Sequence, residues 1–322
     1  MKKLSWILLA LMSLPAPAWA AFQAGAIAGP KEGPGVPFAA QASLGLLNGE
    51  AIEHVFDYET VDGSRRQLSR LDWDLKDIAM GGGSLSARLT GKLTLNGGAW
   101  LALTEGTGEM DDYDWLDTGF SDWTHYSLSE VDLTAGYVFD LNVAWDLFAW
   151  NGLTARLFAG YKQDGWKWED RGVYLLYPDY GYVPQDLGGE NMINYEQEFR
   201  MPYLRAGADW MRGGFALSGH VTWSPIVSAT DWDEHVARNM HFKETFEGGD
   251  MLGFGLEARY SFAKGFFNGM FVSAAVDYQK IDLIVGDMEV RDGATGETGG
   301  VTDGAGIEND HLILSLGGGI QF

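Results

Sequence analysis

Leu312-Ile313-Leu314-Ser315-Leu316-Gly317-Gly318-Gly319-Ile320-Gln321-Phe322 closes the chain, and its reading sets the fold. Side chains of a strand alternate between two faces. Counting back from Phe322, one face carries Ile320, Gly318, Leu316, Leu314 and Leu312, and the other Gln321, Gly319, Gly317 and Ser315. The same rule recurs upstream. Leu93, Leu95, Ala99, Leu101 and Leu103 oppose Lys92, Thr94, Asn96 and Thr104; Phe215, Leu217, Val221 and Trp223 oppose Ser218, His220 and Thr222; Val272, Ala274, Val276 and Tyr278 oppose Ser273, Asp277 and Gln279. An apolar face backed by a polar or small one suits a barrel wall between lipid and lumen. A soluble sandwich alternates too, so periodicity alone leaves both architectures open.

The aromatic C-terminal residue on a terminal amphipathic strand resembles what outer-membrane barrels carry, and it tips the balance. Ten strands are expected, at about 40–56, 67–89, 92–110, 126–144, 151–171, 192–211, 214–231, 241–262, 268–288 and 306–322. An even number puts both ends on one side. Alternate connections then divide into short ones, near Thr90-Gly91, Asp146 to Gly152, Arg212 to Gly214 and Ala263 to Gly269, and long ones, near 57–66, 109–125, 171–191, 231–241 and 289–305. That asymmetry is expected of periplasmic turns and extracellular loops. Many strands exceed the roughly 9–11 residues that cross a bilayer, so the barrel should stand above the membrane. Gly293 to Gly306 reads as the most mobile loop.

The expected fold class is therefore all-β: a ten-stranded antiparallel transmembrane β-barrel with long extracellular loops, one domain over 21–322. Residues 1–20 read as a secretory signal peptide: Lys2-Lys3, an apolar run from Leu4 to Leu14, and Ala18-Trp19-Ala20 before the cut. No later segment supplies the roughly 20 apolar residues of a transmembrane helix. Forty-four Gly, 13 Trp, 13 Tyr and 17 Phe beside 9 Pro describe aromatic-rich pleated strands, and no cysteine is present to staple them. A net charge of -23 repels phosphates, which argues against nucleic acid and for a cationic ligand.

Two of the expected long loops hold polar clusters. In Glu109-Met110-Asp111-Asp112-Tyr113-Asp114-Trp115-Leu116-Asp117, extended backbone points Asp112 and Asp114 the same way, so each raises the cost of ionising the other. In Asp231-Trp232-Asp233-Glu234-His235, the residues Asp231, Asp233 and His235 share a face. A carboxylate two positions from an imidazole can accept its hydrogen bond, fix its tautomer and leave the other nitrogen as a base. Taken singly, either cluster also reads as solvated surface or a divalent-cation site.

Taken together they resemble the omptin family of outer-membrane aspartyl/histidine proteases. The matching residues are Met110-x-Asp112-x-Asp114-Trp115, Trp123-Thr124 and Ser127, Asp231-x-Asp233-Glu234-His235, and Gly304-Ala305-Gly306-Ile307-Glu308-Asn309. Further agreement lies in Leu71-Asp72-Trp73, Phe139-Asp140-Leu141-Asn142, Gly160-Tyr161 and Met201-Pro202-Tyr203. The resemblance spans nearly the whole chain after residue 20. It implies an outer-membrane endopeptidase of a Gram-negative bacterium with its active site facing the exterior, an Asp233–His235 dyad, and Asp112 and Asp114 facing it across the mouth. A water between them would be the nucleophile. Glu53 and Asp231 would line the pocket for a basic residue preceding the cut, making basic peptides or surface proteins the substrates.

The resemblance thins on the barrel wall. Omptins carry a lipopolysaccharide site of basic and aromatic side chains, and Tyr161 fits it as a lipid contact. The basic positions instead hold Gly165, Glu198 and Glu247, which puts lipopolysaccharide as an activator in doubt; Lys162, Lys167 or Arg200 are the candidate substitutes. No cofactor or metal is expected for the chemistry. Among rival chemistries, Ser127 with His125 lacks a nucleophile elbow, and no HExxH-like zinc spacing occurs. His54, His220, His241 and His311 read as lumen or rim polar groups. The alternative from another class is an inactive barrel serving as adhesin or cation-binding surface protein.

Overall fold

The computed structural model describes residues 38–58 and 63–322; the signal segment expected at 1–20 lies outside them. Twelve strands appear in chain order: β1 (Phe38–Tyr58), β2 (Arg65–Arg88), β3 (Leu93–Ala102), β4 (Gly108–Asp114), β5 (His125–Trp150), β6 (Leu153–Leu176), β7 (Gln185–Asp186), β8 (Ile193–Arg212), β9 (Phe215–His235), β10 (Met240–Ser261), β11 (Met270–Asp292) and β12 (Thr298–Gln321). All pairings are antiparallel. Each long strand bonds to its neighbour, and β12 returns to β1 with Ala39 opposite Gln321 and Val55 opposite Ala305. The sheet therefore closes, which leaves no long edge to satisfy in lipid.

Two of the twelve are pieces of one wall strand. β3 and β4 both lie between β2 and β5, so the ring holds ten staves. The single strand expected over 92–110 is broken at 103–107. Gly106 there adopts φ +80°, and a Cβ on it would fall 2.5 Å from the Lys76 carbonyl oxygen. That close approach needs glycine. β7 is a two-residue strand in the loop after Leu176 that folds back to pair with β6, Gln185 opposite Leu175.

Strand ends also correct the reading of the loops. Asp112 and Asp114 sit on β4, and Asp231 to His235 on β9, rather than in loops. The glycine-rich stretch from Gly293 to Gly306 is mostly strand: Thr298 pairs with Arg291 and Gly306 with Val285. Gly306 packs where a Cβ would meet Leu283 and Phe56 at 2.8 Å, so its glycine marks close packing instead of a turn. The turn itself shrinks to 293–297, with the Ala294 and Thr295 amides donating to the Asp292 carboxylate. At the opposite end, Asn151 (φ 48°) and Gly152 (φ 84°) form a two-residue hairpin turn of the kind that matches strand twist.

The outward alternation defines the lipid-facing band. On β9 it runs from Phe215 through Leu217, Val221 and Trp223 to Ile226, and on β10 from Tyr260 through Leu256 and Phe254 to Leu252, all exposed. Above it the outward residues turn polar except for Trp232 on β9: Ser228, Thr230 and Glu234 on β9, Asp250, Glu247 and Lys243 on β10. The band thus occupies the half nearer the termini, and the strands continue well past it.

The lumen is filled. One apolar cluster, reaching upward from the band, joins Trp73, Leu75, Met80, Trp100, Met110, Trp166, Trp168 and Tyr195, and a second joins Phe199, Met201, Val227, Phe246, Ile281 and Ile307. Within the band, buried charges pair: Arg205 with Asp140 at 2.9 Å, and Arg156 with Asp146 at 2.7 Å and Asp209 at 2.8 Å. Such a packed interior is a scaffold, and the residues it carries at its upper end are held from below.

Candidate active site

Three strands bring the predicted residues to the rim opposite the termini. β9 supplies Asp231, Asp233 and His235 on its inward face; β4 supplies Asp112 and Asp114; β1 supplies Glu53. Alternation dictates each orientation, since the outward partners Trp232 and Glu234 leave their inward neighbours to the lumen.

His235 Nε2 lies 2.7 Å from Asp233 Oδ2, and Asp233 is 4% exposed. With Nε2–H donating to that carboxylate, the neutral ring keeps its lone pair on Nδ1. Phe242, opposite Asp233 on β10, packs its ring 5.2 Å from the imidazole and limits its rotation. Across the mouth, Ser69 and Ser127 donate to the two oxygens of Asp112 at 3.2 and 3.3 Å. Burial, then the charge of Asp114, pushes the Asp112 carboxyl up to about 7, while the hydroxyls and the His235 ring oppose the rise. Asp114 is held above the ordinary carboxylate range, first by burial, with His125, Arg238 and His235 opposing. The carboxylates of β4 and the imidazole of β9 therefore feel each other across the opening, an arrangement able to hold and polarise a water.

Beside the dyad lies a buried acidic cluster. Glu53 is 1% exposed and Asp231 0%. A stack of Trp73 on Tyr195 (5.0 Å between centroids) and Trp168 on Tyr195 (5.8 Å) packs against it through Tyr195. Tyr195 donates its hydroxyl to Asp231 Oδ2 at 3.0 Å and accepts from Gln197 at 2.9 Å. Burial first, then Asp233 and Asp231, keeps Glu53 well above its usual range; burial likewise lifts Asp231 to about 7. A third acid, Glu244, joins them, and sequence reasoning passed over it because it belongs to no motif. Hairpin arithmetic locates it: with His235 opposite Met240, Asp231 faces Glu244.

Of the rival residues, Ser127 and His125 border the β4 carboxylates, and the other histidines fall elsewhere. Ser127 bonds Asp112, while His125 accepts or donates at Thr124 and packs edge-on to Tyr177. His220 and His311 face the lumen, His241 is at the rim, and His54 faces the outer wall, 2.8 Å from Glu308.

Just above the band on the outer wall, a chain of hydrogen bonds links Tyr161 to Gln163, Gln163 to Tyr137 and Tyr137 to Glu198, which pairs with Arg200. Gly165 lies under Tyr137, whose ring a Cβ there would strike at 2.3 Å. Lys162 turns inward to Gln279 and Asp164, and Lys167 pairs with Glu196, leaving Arg200 as the basic group beside Tyr161.

Comparison with known proteins now bears on this geometry. The model of the Omptin family matches residues 36–322. The chain belongs to the omptins. It is 32% identical to a plasminogen activator of Yersinia pestis over 87% of this chain and 88% of that protein, and 26% identical to the outer membrane protease OmpP of Escherichia coli over 86% and 88%. The crystal structure of the outer membrane protease OmpT from Escherichia coli superposes with a TM-score of 0.81 at 24% identity, covering 90% of this chain and 99% of that one, which shows the shared barrel fold. This omptin is accordingly a peptidase of the Gram-negative outer membrane.

Proposed function

We propose that this omptin is an endopeptidase that cuts polypeptide chains after a basic residue at the exterior mouth of the barrel, with water as the nucleophile. The observation that carries the reading is the 2.7 Å contact of His235 Nε2 with Asp233, set opposite an Asp112 carboxylate that two serine hydroxyls hold in place. A water lodged between His235 and Asp112 would give its proton to the imidazole as its oxygen adds to the scissile carbonyl. Asp233 stabilises the resulting imidazolium and fixes the ring; Asp114 maintains the field that orients the water. The imidazolium then returns a proton to the leaving amine, so atoms balance without a covalent acyl-enzyme and without a cofactor in the bond-breaking steps.

Specificity follows from the pocket. Glu53 and Asp231 are enclosed carboxyls with unpartnered oxygens beside an aromatic stack, which suits a long apolar stem ending in a positive charge. Outside, Tyr161 and Arg200 supply one aromatic and one basic group for a lipid headgroup, a sparser set than an activator dependent on several bases would need. The test is direct: refolded barrel is offered a peptide containing paired basic residues, and the cut is located by mass spectrometry. Turnover that survives Asp233→Ala or His235→Ala removes the mechanism.

A further inference from the structure

Glu244 lies outside every motif that marks the family, yet it is among the most enclosed acids of the rim. It stands on β10 directly opposite Asp231 on β9, both side chains inward and both 0% exposed. Like charges directly opposite on one sheet face oppose each other. Its chain neighbours Lys243 and Thr245 are exposed on the other face and offer no compensation. Among the described residues, Glu244 has no side-chain partner other than the Asp231 carboxyl, with which it shares a proton, and no residue outside the acids donates to Glu53 Oε2 or Asp231 Oδ1. Four buried carboxyl oxygens from three strands thus converge with no donor among them but their own protons. Buried polar atoms are ordinarily satisfied, so the set calls for an external donor.

We infer that Glu244 is a specificity-determining residue of the peptidase, the third carboxylate of the pocket that receives the basic side chain preceding the cut. The inference rests on the peptidase reading above and adds to it. A guanidinium presents five N–H donors in a fixed plane and meets four acceptors spread over three carboxyls better than an ammonium with three donors. An uncharged isostere leaves the carboxyls without a counter-charge, and a site built to bond a partner rejects one that lacks it. Burial, then Asp231 and Glu53, holds Glu244 well above the usual carboxylate range, so an incoming cation would compete with protons for this cluster.

Full-length refolded barrel, wild type and Glu244→Gln, is assayed on peptides identical except for Arg, Lys or citrulline before the cut. The glutamine variant is expected to lose about tenfold to a hundredfold in kcat/KM on the Arg peptide, chiefly through KM, with the Arg-over-citrulline preference shrinking by a similar factor. A purely structural Glu244 would alter thermal unfolding and leave that preference intact, and this result overturns the inference. Should Glu244→Gln fail to fold, Glu244→Asp keeps the charge but withdraws it, and an unchanged Arg-to-Lys ratio in that variant is equally fatal. In wild type, butylguanidine is expected to compete at lower concentration than butylamine; equal potency overturns the assignment. Failure of the underlying reading looks different: wild type then shows no preference for basic residues, or Asp233→Ala remains active.

Discussion

Asp231 on β9 and Glu244 on β10 occupy directly opposed inward positions, two strand residues from the His235–Asp233 contact. Specificity and chemistry are thus built on one hairpin, and a shift of its register would move both together. The hairpin closes through only 236–239, with Asn239 at φ 51°, so the register is set by a short turn.

Removing the dyad should cost rate without costing the fold. His235→Ala and Asp233→Asn are expected to lower kcat by about a hundredfold to ten-thousandfold, while the thermal transition of the barrel stays within a few degrees. Stopped assays on a basic peptide, run beside thermal unfolding, check both halves.

Ser127→Ala separates two roles for the hydroxyl. As a donor to Asp112 at 3.3 Å, its loss leaves Ser69 to hold the carboxylate, and activity should fall by about tenfold. As a covalent nucleophile its loss would abolish turnover. Residual activity in the alanine variant, together with single-step kinetics lacking a burst, is the expected result.

Acidification acts on the site through Asp112. Its carboxyl is pushed up to about 7 because it is buried near Asp114, and the ionised form accepts the stronger hydrogen bond from the water. Rate should therefore drop as pH falls through 7. Stability runs the other way: a carboxyl whose folded pKa is raised stabilises the protonated folded state, fully below the unfolded value and decreasingly as pH rises through about 7. Asp112→Asn is expected to unfold a few degrees higher than wild type at pH 7.5 and to lose that advantage at pH 4, while being inactive at both. An asparagine variant with no gain at pH 7.5 contradicts this.

Inside the membrane band, Asp140 answers the buried Arg205 at 2.9 Å. Asp140→Ala removes the ion-pair partner of a guanidinium 6% exposed, a change that typically costs about 3–5 kcal/mol. Chemical denaturation of refolded barrel should show a clearly lower midpoint, with Asp140→Asn intermediate.

Much of the architecture was legible in period-two alternation, because lipid on one side and packed lumen on the other impose opposite chemistry on successive residues. Leu93, Leu101, Phe215, Trp223, Leu314 and Leu316 are all exposed as that pattern requires. Composition misled where glycine was taken as a sign of loop: Gly299, Gly300 and Gly306 are in β12, and Gly306 is there because Phe56 and Leu283 leave no room. The break between β3 and β4 was hidden for the converse reason, as Gly106 alone signals it. Within the site, pairs on one strand such as Asp233 and His235 could be seen locally. Glu244 and Ser69 could not, because their neighbours Asp231 and Asp112 come from other strands, and only register connects them.

The height of the wall above the lipid band has a consequence for what can be cut. From Leu252, the last apolar outward residue of β10, to Phe242 beside the dyad is a run of ten residues, which at about 3.3 Å each and a tilt of about 40° raises the site roughly 25 Å over the bilayer edge. A polypeptide lying flat on the membrane passes beneath it. Targets must arrive from solution, or be tethered on a stalk long enough to bridge that gap, so anchoring geometry selects substrates before any side chain is read.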